Sequence, residues 1–155
     1  MKPVLELQKI YKEFPGIIAN DHIDLTLNRG EVHTILGENG AGKSTLMNII
    51  SGLYVPDSGS IFLEGKPLYL KNPAQAIAHG VGMVHQHFML IPNHSISENI
   101  ILGTPQAFRL QKSKVRQQIK ELGIRYGLVL NPDLRVQDLS VGEQQKVEIL
   151  KVLFR

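Results

Sequence analysis

Eight consecutive residues, Gly37-Glu38-Asn39-Gly40-Ala41-Gly42-Lys43-Ser44, fit the pattern G-x-x-x-x-G-K-[ST]. Glycines at this spacing let the backbone wrap around an anion with its N–H groups pointing inward. A helix beginning near Lys43 adds the positive end of its dipole. In this pattern Lys43 reaches the β- and γ-phosphates of a nucleotide, and the Ser44 hydroxyl holds Mg²⁺. Thr45 adds a hydroxyl on the α-phosphate side. By accident, such a pattern arises in on the order of one chain of this length in a few hundred. The apolar run Val32–Leu36 before it and the periodic segment after it give the strand–loop–helix context the motif requires. The competing account is a glycine-rich turn that only joins strand and helix. No Asn-Lys-x-Asp guanine motif occurs, which points to ATP.

The rest of the chain is consistent with an α/β domain built around that loop. Val4–Leu7 and Ile23–Leu27 alternate as strands, and Asn28-Arg29-Gly30 is a turn. Val32–Leu36 is expected to be a buried strand, followed by a helix from about Ser44 to Ser51 that stops at Gly52. Pro56–Gly59 turns, Ser60–Leu63 is a short strand, and Leu68–Leu70 is expected to pair back on it. Asn72 before Pro73 starts a helix ending at Gly80. Val81–His85 is expected to be a second buried strand. From Ser95 onward the pattern is helical. Ser113 is expected to cap a helix carrying Val115, Ile119 and Leu122, and Ser140 one carrying Val147, Leu150 and Phe154.

Composition narrows the function. Seventeen Lys+Arg against fourteen Asp+Glu leave a net charge of +3, too weak and scattered to predict a nucleic-acid partner. No apolar run is long enough to span a membrane, and the first residues lack the apolar core of a signal peptide. Cysteine is absent, which excludes disulfides and thiolate metal sites and suits the cytosol. His79, His85, His87 and His94 lack a further ligand at metal-site spacing, so solvated or core histidines are expected.

Leu139-Ser140-Val141-Gly142-Glu143-Gln144-Gln145 holds a capping box, Ser140 at the N-cap and Glu143 three residues on. Alone, this is a well-started helix whose N-terminus is also a second potential anion site. With the phosphate loop upstream, it resembles the signature motif of ATP-binding cassette (ABC) transporter ATPases. The common form reads Leu-Ser-Gly-Gly-Gln; the departures at Val141 and Glu143 resemble the branch that serves simple-sugar and purine-nucleoside importers.

The resemblance covers essentially the whole chain. It implies a P-loop NTPase core with an N-terminal antiparallel β subdomain and a helical subdomain, in an incomplete nucleotide-binding domain. Residues 1–92 would be the β-rich part and P-loop core, 93–138 the helical subdomain and 139–155 the signature helix. ATP would be held by Phe14, Gly37, Glu38, Asn39, Gly40, Ala41, Gly42, Lys43, Ser44 and Thr45 of one subunit, and in trans by Ser140, Gly142 and Glu143 of a second subunit or cassette in a head-to-tail dimer. Phe14 matches the aromatic that stacks on adenine, although a hydrophobic plug under a strand is the alternative. Gln86 matches the Q-loop glutamine, which with Ser44 holds Mg²⁺ and with Lys43 acts in catalysis. Without the family, Gln86 would be a surface residue. A transmembrane permease subunit would contact Gln86–Pro92, placing the protein at the inner face of the cell membrane. A buried core segment is the competing account of Phe88–Pro92.

In the family, an apolar strand ending in Asp-Glu, an aspartate loop and a switch histidine come next, and no such segment is present here. The resemblance therefore implies the front part of a longer ATPase, cut before the Walker B motif. By itself this part would be inactive, aggregation-prone or poorly ordered in its last helix. Two rival functions remain: a non-transport ATPase of the same fold, and a module that binds ATP without hydrolysing it.

Overall fold

Leu5, Leu7 and Ile10 bury their side chains while Gln8 and Lys9 between them stay exposed, which is the pattern of a strand covered on one face. The computed structural model describes residues 3–104 and 112–155; part of the helical portion expected from the sequence, 105–111, lies outside them. The strand β1 runs Leu5–Phe14 and folds back through Pro15-Gly16 into β2, Ile17–Leu27. Two shorter strands follow, β3 (Ser58–Leu63) and β4 (Lys66–Pro67). All pair antiparallel in the order β2-β1-β3-β4. The β1–β2 register shifts between Leu7 and Ile10, where Lys9 takes a positive φ and ties back to Asp24 through its amide at 2.8 Å. The hairpin return comes earlier than the expected Leu68–Leu70. Only Lys66–Pro67 forms strand, and Leu68 continues it with one bond to the Ile61 carbonyl.

Helix α1, Lys43–Ile50, packs Leu46 and Ile49 onto this sheet, and α2, Pro73–Ala78, adds Ala76. Asn72 caps α2 by accepting from the Gln75 amide, as its position before Pro73 predicts. Leu5, Leu7, Ile10, Ile61, Leu68 and Leu70 complete the first core.

Two expected strands do not form. Val32–Leu36 and Val81–His85 are irregular; Val32 is 95% and Leu36 87% exposed. Apolar periodicity reports a demand for burial, but a strand also needs a neighbour to satisfy its N–H and C=O groups. Among the described residues neither run has a ladder partner. Ile35 and Val81 still lean on the first core, partly buried.

The chain divides into two compact units, one up to Val81 and one from Gly82. In the second, α3 (Ile96–Ile101), α4 (Lys112–Tyr126) and α5 (Val141–Phe154) surround a core of Ile96, Ile100, Val115, Ile119, Val136, Leu139, Val147 and Leu150. Ser113 lies within α4 rather than at its cap. The stretch 131–137 runs antiparallel to 92–97, joined by Ile96 to Leu134, Ser97 to Pro132, Val136 to His94 and Gln137 to Pro92 main-chain bonds. A single 3₁₀ turn, Val136–Asp138, then delivers the chain to Ser140.

Ile49 is fully buried against the sheet. Ile49→Ala should cost about 2–5 kcal/mol, read as a lower midpoint in denaturant unfolding followed by circular dichroism.

Candidate functional site

Helix α1 is begun differently from its neighbours. Asn72, Ser95 and Ser140 each cap their own helix with a side-chain oxygen. At α1 the N-cap is Gly42, which offers no side chain, so no side-chain oxygen caps the helix. A helix leaves its first four N–H groups without internal partners. Those of α1 are thus left to the loop in front of it.

That loop is braced from β2. Gly42 has φ +81, and a Cβ placed there would sit 1.9 Å from the Ala19 carbonyl oxygen and 2.8 Å from the Asn20 amide nitrogen. Only glycine tolerates both the left-handed backbone and the approach. Asn20 is buried and donates from Nδ2 to the Gly42 carbonyl at 3.2 Å, while its Oδ1 finds no partner among the described residues. Sequence reasoning missed Asn20. Its one signal was a polar residue preceding the alternating run of β2, too weak to single it out.

Lys43 closes the loop on itself. Its ammonium donates to the Gly37 carbonyl at 2.7 Å and the Glu38 carbonyl at 2.6 Å. Gly40 is left-handed as well, and Ala41 turns back to the Glu38 carbonyl. Ser44 is exposed and Thr45 half-buried at the start of α1. Phe14 ends β1 half-buried, its ring edge-on to Tyr54 at 5.5 Å and its face 5.5 Å from the Lys12 ammonium. Gly37 to Thr45 and Phe14 all belong to the first unit.

Gln86, Ser140, Gly142 and Glu143 belong to the second unit. Gln86 is exposed on irregular chain. Met89 is 63% exposed, Phe88 and Ile91 are exposed too, and only Leu90 leans on the second core. Ser140 accepts from the Glu143 amide at 3.4 Å, and the Glu143 carboxylate accepts from the Ser140 amide at 2.9 Å and hydroxyl at 2.7 Å. Those two bonds, the hydroxyl's first, hold the Glu143 carboxyl below its ordinary value. Above the cap the surface is open. Ser140, Val141 and Gly142 are exposed, and a Cβ on Gly142 would meet nothing within 4 Å.

Comparison with known proteins decides the family. The ABC transporter family pattern matches residues 20–155. The chain belongs to the ABC transporter family. It is 48% identical over 157 residues to the guanosine import ATP-binding protein NupO of Bacillus subtilis, covering 100% of this chain and 31% of that relative. With the ribose import ATP-binding protein RbsA 1 of Rubrobacter xylanophilus the identity is 44%, over 99% of this chain and 31% of the relative. The chain thus spans about a third of the length of the curated relatives it matches. Among solved structures, the dimeric MJ0796, a bacterial ABC transporter cassette, superposes with a TM-score of 0.76 at 28% identity, over 96% of this chain and 68% of that one. The ABC ATPase fold implied by the two motifs is therefore established, and this family binds ATP.

The depressed Glu143 carboxyl carries a pH consequence. It stabilises the folded state fully above its unfolded value of 4.5, and the contribution is lost as pH falls through its lower folded value. Melting temperatures of Glu143→Gln and the unaltered protein should therefore converge as pH drops below 4.5. A gap that stays constant with pH would remove the carboxylate from this role.

Proposed function

We propose that this chain is an ATP-holding part of an importer ATPase whose whole protein hydrolyses MgATP to drive uptake of a simple sugar or nucleoside. The observation that carries the reading is the uncapped N-terminus of α1 behind a loop whose last glycine is pinned to β2. An anion at such a position is favoured by about 0.3–2 kcal/mol from the helix dipole alone. The loop amides from Gly37 to Lys43 would receive the phosphates. Lys43 would exchange its bonds to the Gly37 and Glu38 carbonyls for phosphate oxygens, trading neutral acceptors for charged ones. Thr45 would add a hydroxyl, and Phe14 would offer its ring to adenine. The Ser44 hydroxyl would hold Mg²⁺, which supplies neutralisation of the charge that builds on the phosphate oxygens.

The importer assignment rests on the relatives, which are import ATP-binding proteins for guanosine and ribose. Ser140, Gly142 and Glu143 would serve the ATP of a second subunit or cassette. The exposure of Ser140 and Gly142 and the capped start of α5 support that role, as does the dimeric form of a related cassette. Gln86–Pro92 would face a membrane-spanning permease, with the ATPase peripheral at the inner membrane face. Among the described residues no helix is long and apolar enough to cross a membrane itself.

Lys43→Ala should weaken ATP binding about ten- to hundredfold, since a charge-assisted bond is worth about 1.5–3 kcal/mol. Titration calorimetry with and without Mg²⁺ measures it; unchanged affinity would sink the reading. In the full-length protein Ser140→Arg should abolish ATP-driven dimerisation, followed by light scattering, and leave ATP binding by the monomer intact. Dimerisation that persists would overturn the role between subunits.

A further inference from the structure

The segment Met89–Ile91 is held by side chains at its main chain. Glu148 of α5 is 3% exposed, and its Oε1 accepts from the Met89 amide at 2.6 Å. One turn on, Lys151 donates to the Met89 carbonyl at 2.8 Å, and its ammonium lies 3.8 Å from the other Glu148 oxygen. Asn99 of α3 is 1% exposed; its Oδ1 accepts from the Ile91 amide at 2.7 Å and its Nδ2 donates to the Ile91 carbonyl at 3.1 Å. Both polar main-chain groups of Met89 and of Ile91 are therefore taken by helix side chains.

This arrangement is costly to build without a purpose. Burying a carboxylate or an amide is unfavourable unless each is hydrogen-bonded. Glu148 stands beside Val147 and near Leu150, where an apolar residue would pack the same core. The segment it grips keeps its side chains outward, Met89 at 63% and Ile91 at 37% exposure. Glu148 also lies on the helix that Ser140 begins, about 12 Å along the axis at 1.5 Å per residue.

We propose that Glu148, Lys151 and Asn99 are positioning residues that fasten the Met89–Ile91 surface to α5 and α3, so that displacement of the Ser140-capped helix is passed to a membrane-spanning partner docked on that surface. The inference rests on the importer reading above. The side chains act through the main chain they hold and touch no nucleotide.

The test uses the full-length ATPase reconstituted with its permease in proteoliposomes. Three quantities are read: basal turnover, KM for ATP, and stimulation of turnover by the transport substrate. Glu148→Ala should cut the stimulation about fivefold or more while basal kcat and KM stay within about twofold. Glu148→Gln, whose amide oxygen still accepts from Met89, should keep most of the stimulation. Lys151→Met should lose part of it. Full stimulation in Glu148→Ala overturns the clamp, as does a parallel fall of basal and stimulated turnover, which marks a role in stability alone. Should Glu148→Ala fail to fold, Glu148→Gln and Lys151→Met decide: full stimulation in Lys151→Met, or equal stimulation loss in both, overturns it. An unaltered protein that no substrate and permease stimulate overturns the importer reading itself.

Discussion

Residue 42 has no room for a side chain, because the Ala19 carbonyl of β2 occupies the place a Cβ would take. Asn20 then takes the Gly42 carbonyl from beneath. These two contacts fix where the glycine-rich loop ends and α1 begins. They also explain why α1 starts on a residue with no capping side chain, and why its first amides face the loop instead of their own cap. The antiparallel hairpin β1–β2 supplies both braces, and Leu46 and Ile49 of α1 pack into the first core beyond the junction.

Two ways of starting a helix divide the labour in this chain. The starts of α2, α3 and α5 are sealed by Asn72, Ser95 and Ser140, which stabilises the helices locally. The start of α1 carries no such seal. Ser140 is intermediate: its hydroxyl is committed to Glu143, yet it sits exposed under an open surface with Gly142 beside it. A sealed cap of this kind holds its geometry before any partner arrives, which lowers the ordering cost of an encounter.

What could be read from the sequence was whatever is decided within a few residues. The Asn72-Pro73 start, the capping box at Ser140 and the inward face of Val115 and Ile119 all depend on local spacing, and each stands where expected. What depends on distant partners was not legible. Val32–Leu36 and Val81–His85 have the composition of buried strands, but a strand is completed by its neighbours. Asn20 gave no local sign, since its role is defined by a glycine 22 positions away. Glu148 was hidden for the same reason: a single acidic residue in an apolar helix face reads as noise until Met89, 59 positions earlier, is found against it.

The grip on Met89 and Ile91 is indifferent to which side chains those residues carry, because every bond is made to the peptide unit. Position and chemistry are thereby separated. The outward side chains can be exchanged one at a time, for bulk, charge or polarity, while the platform that presents them stays in register. A mount of this kind lets the outward surface be refitted by side-chain changes alone.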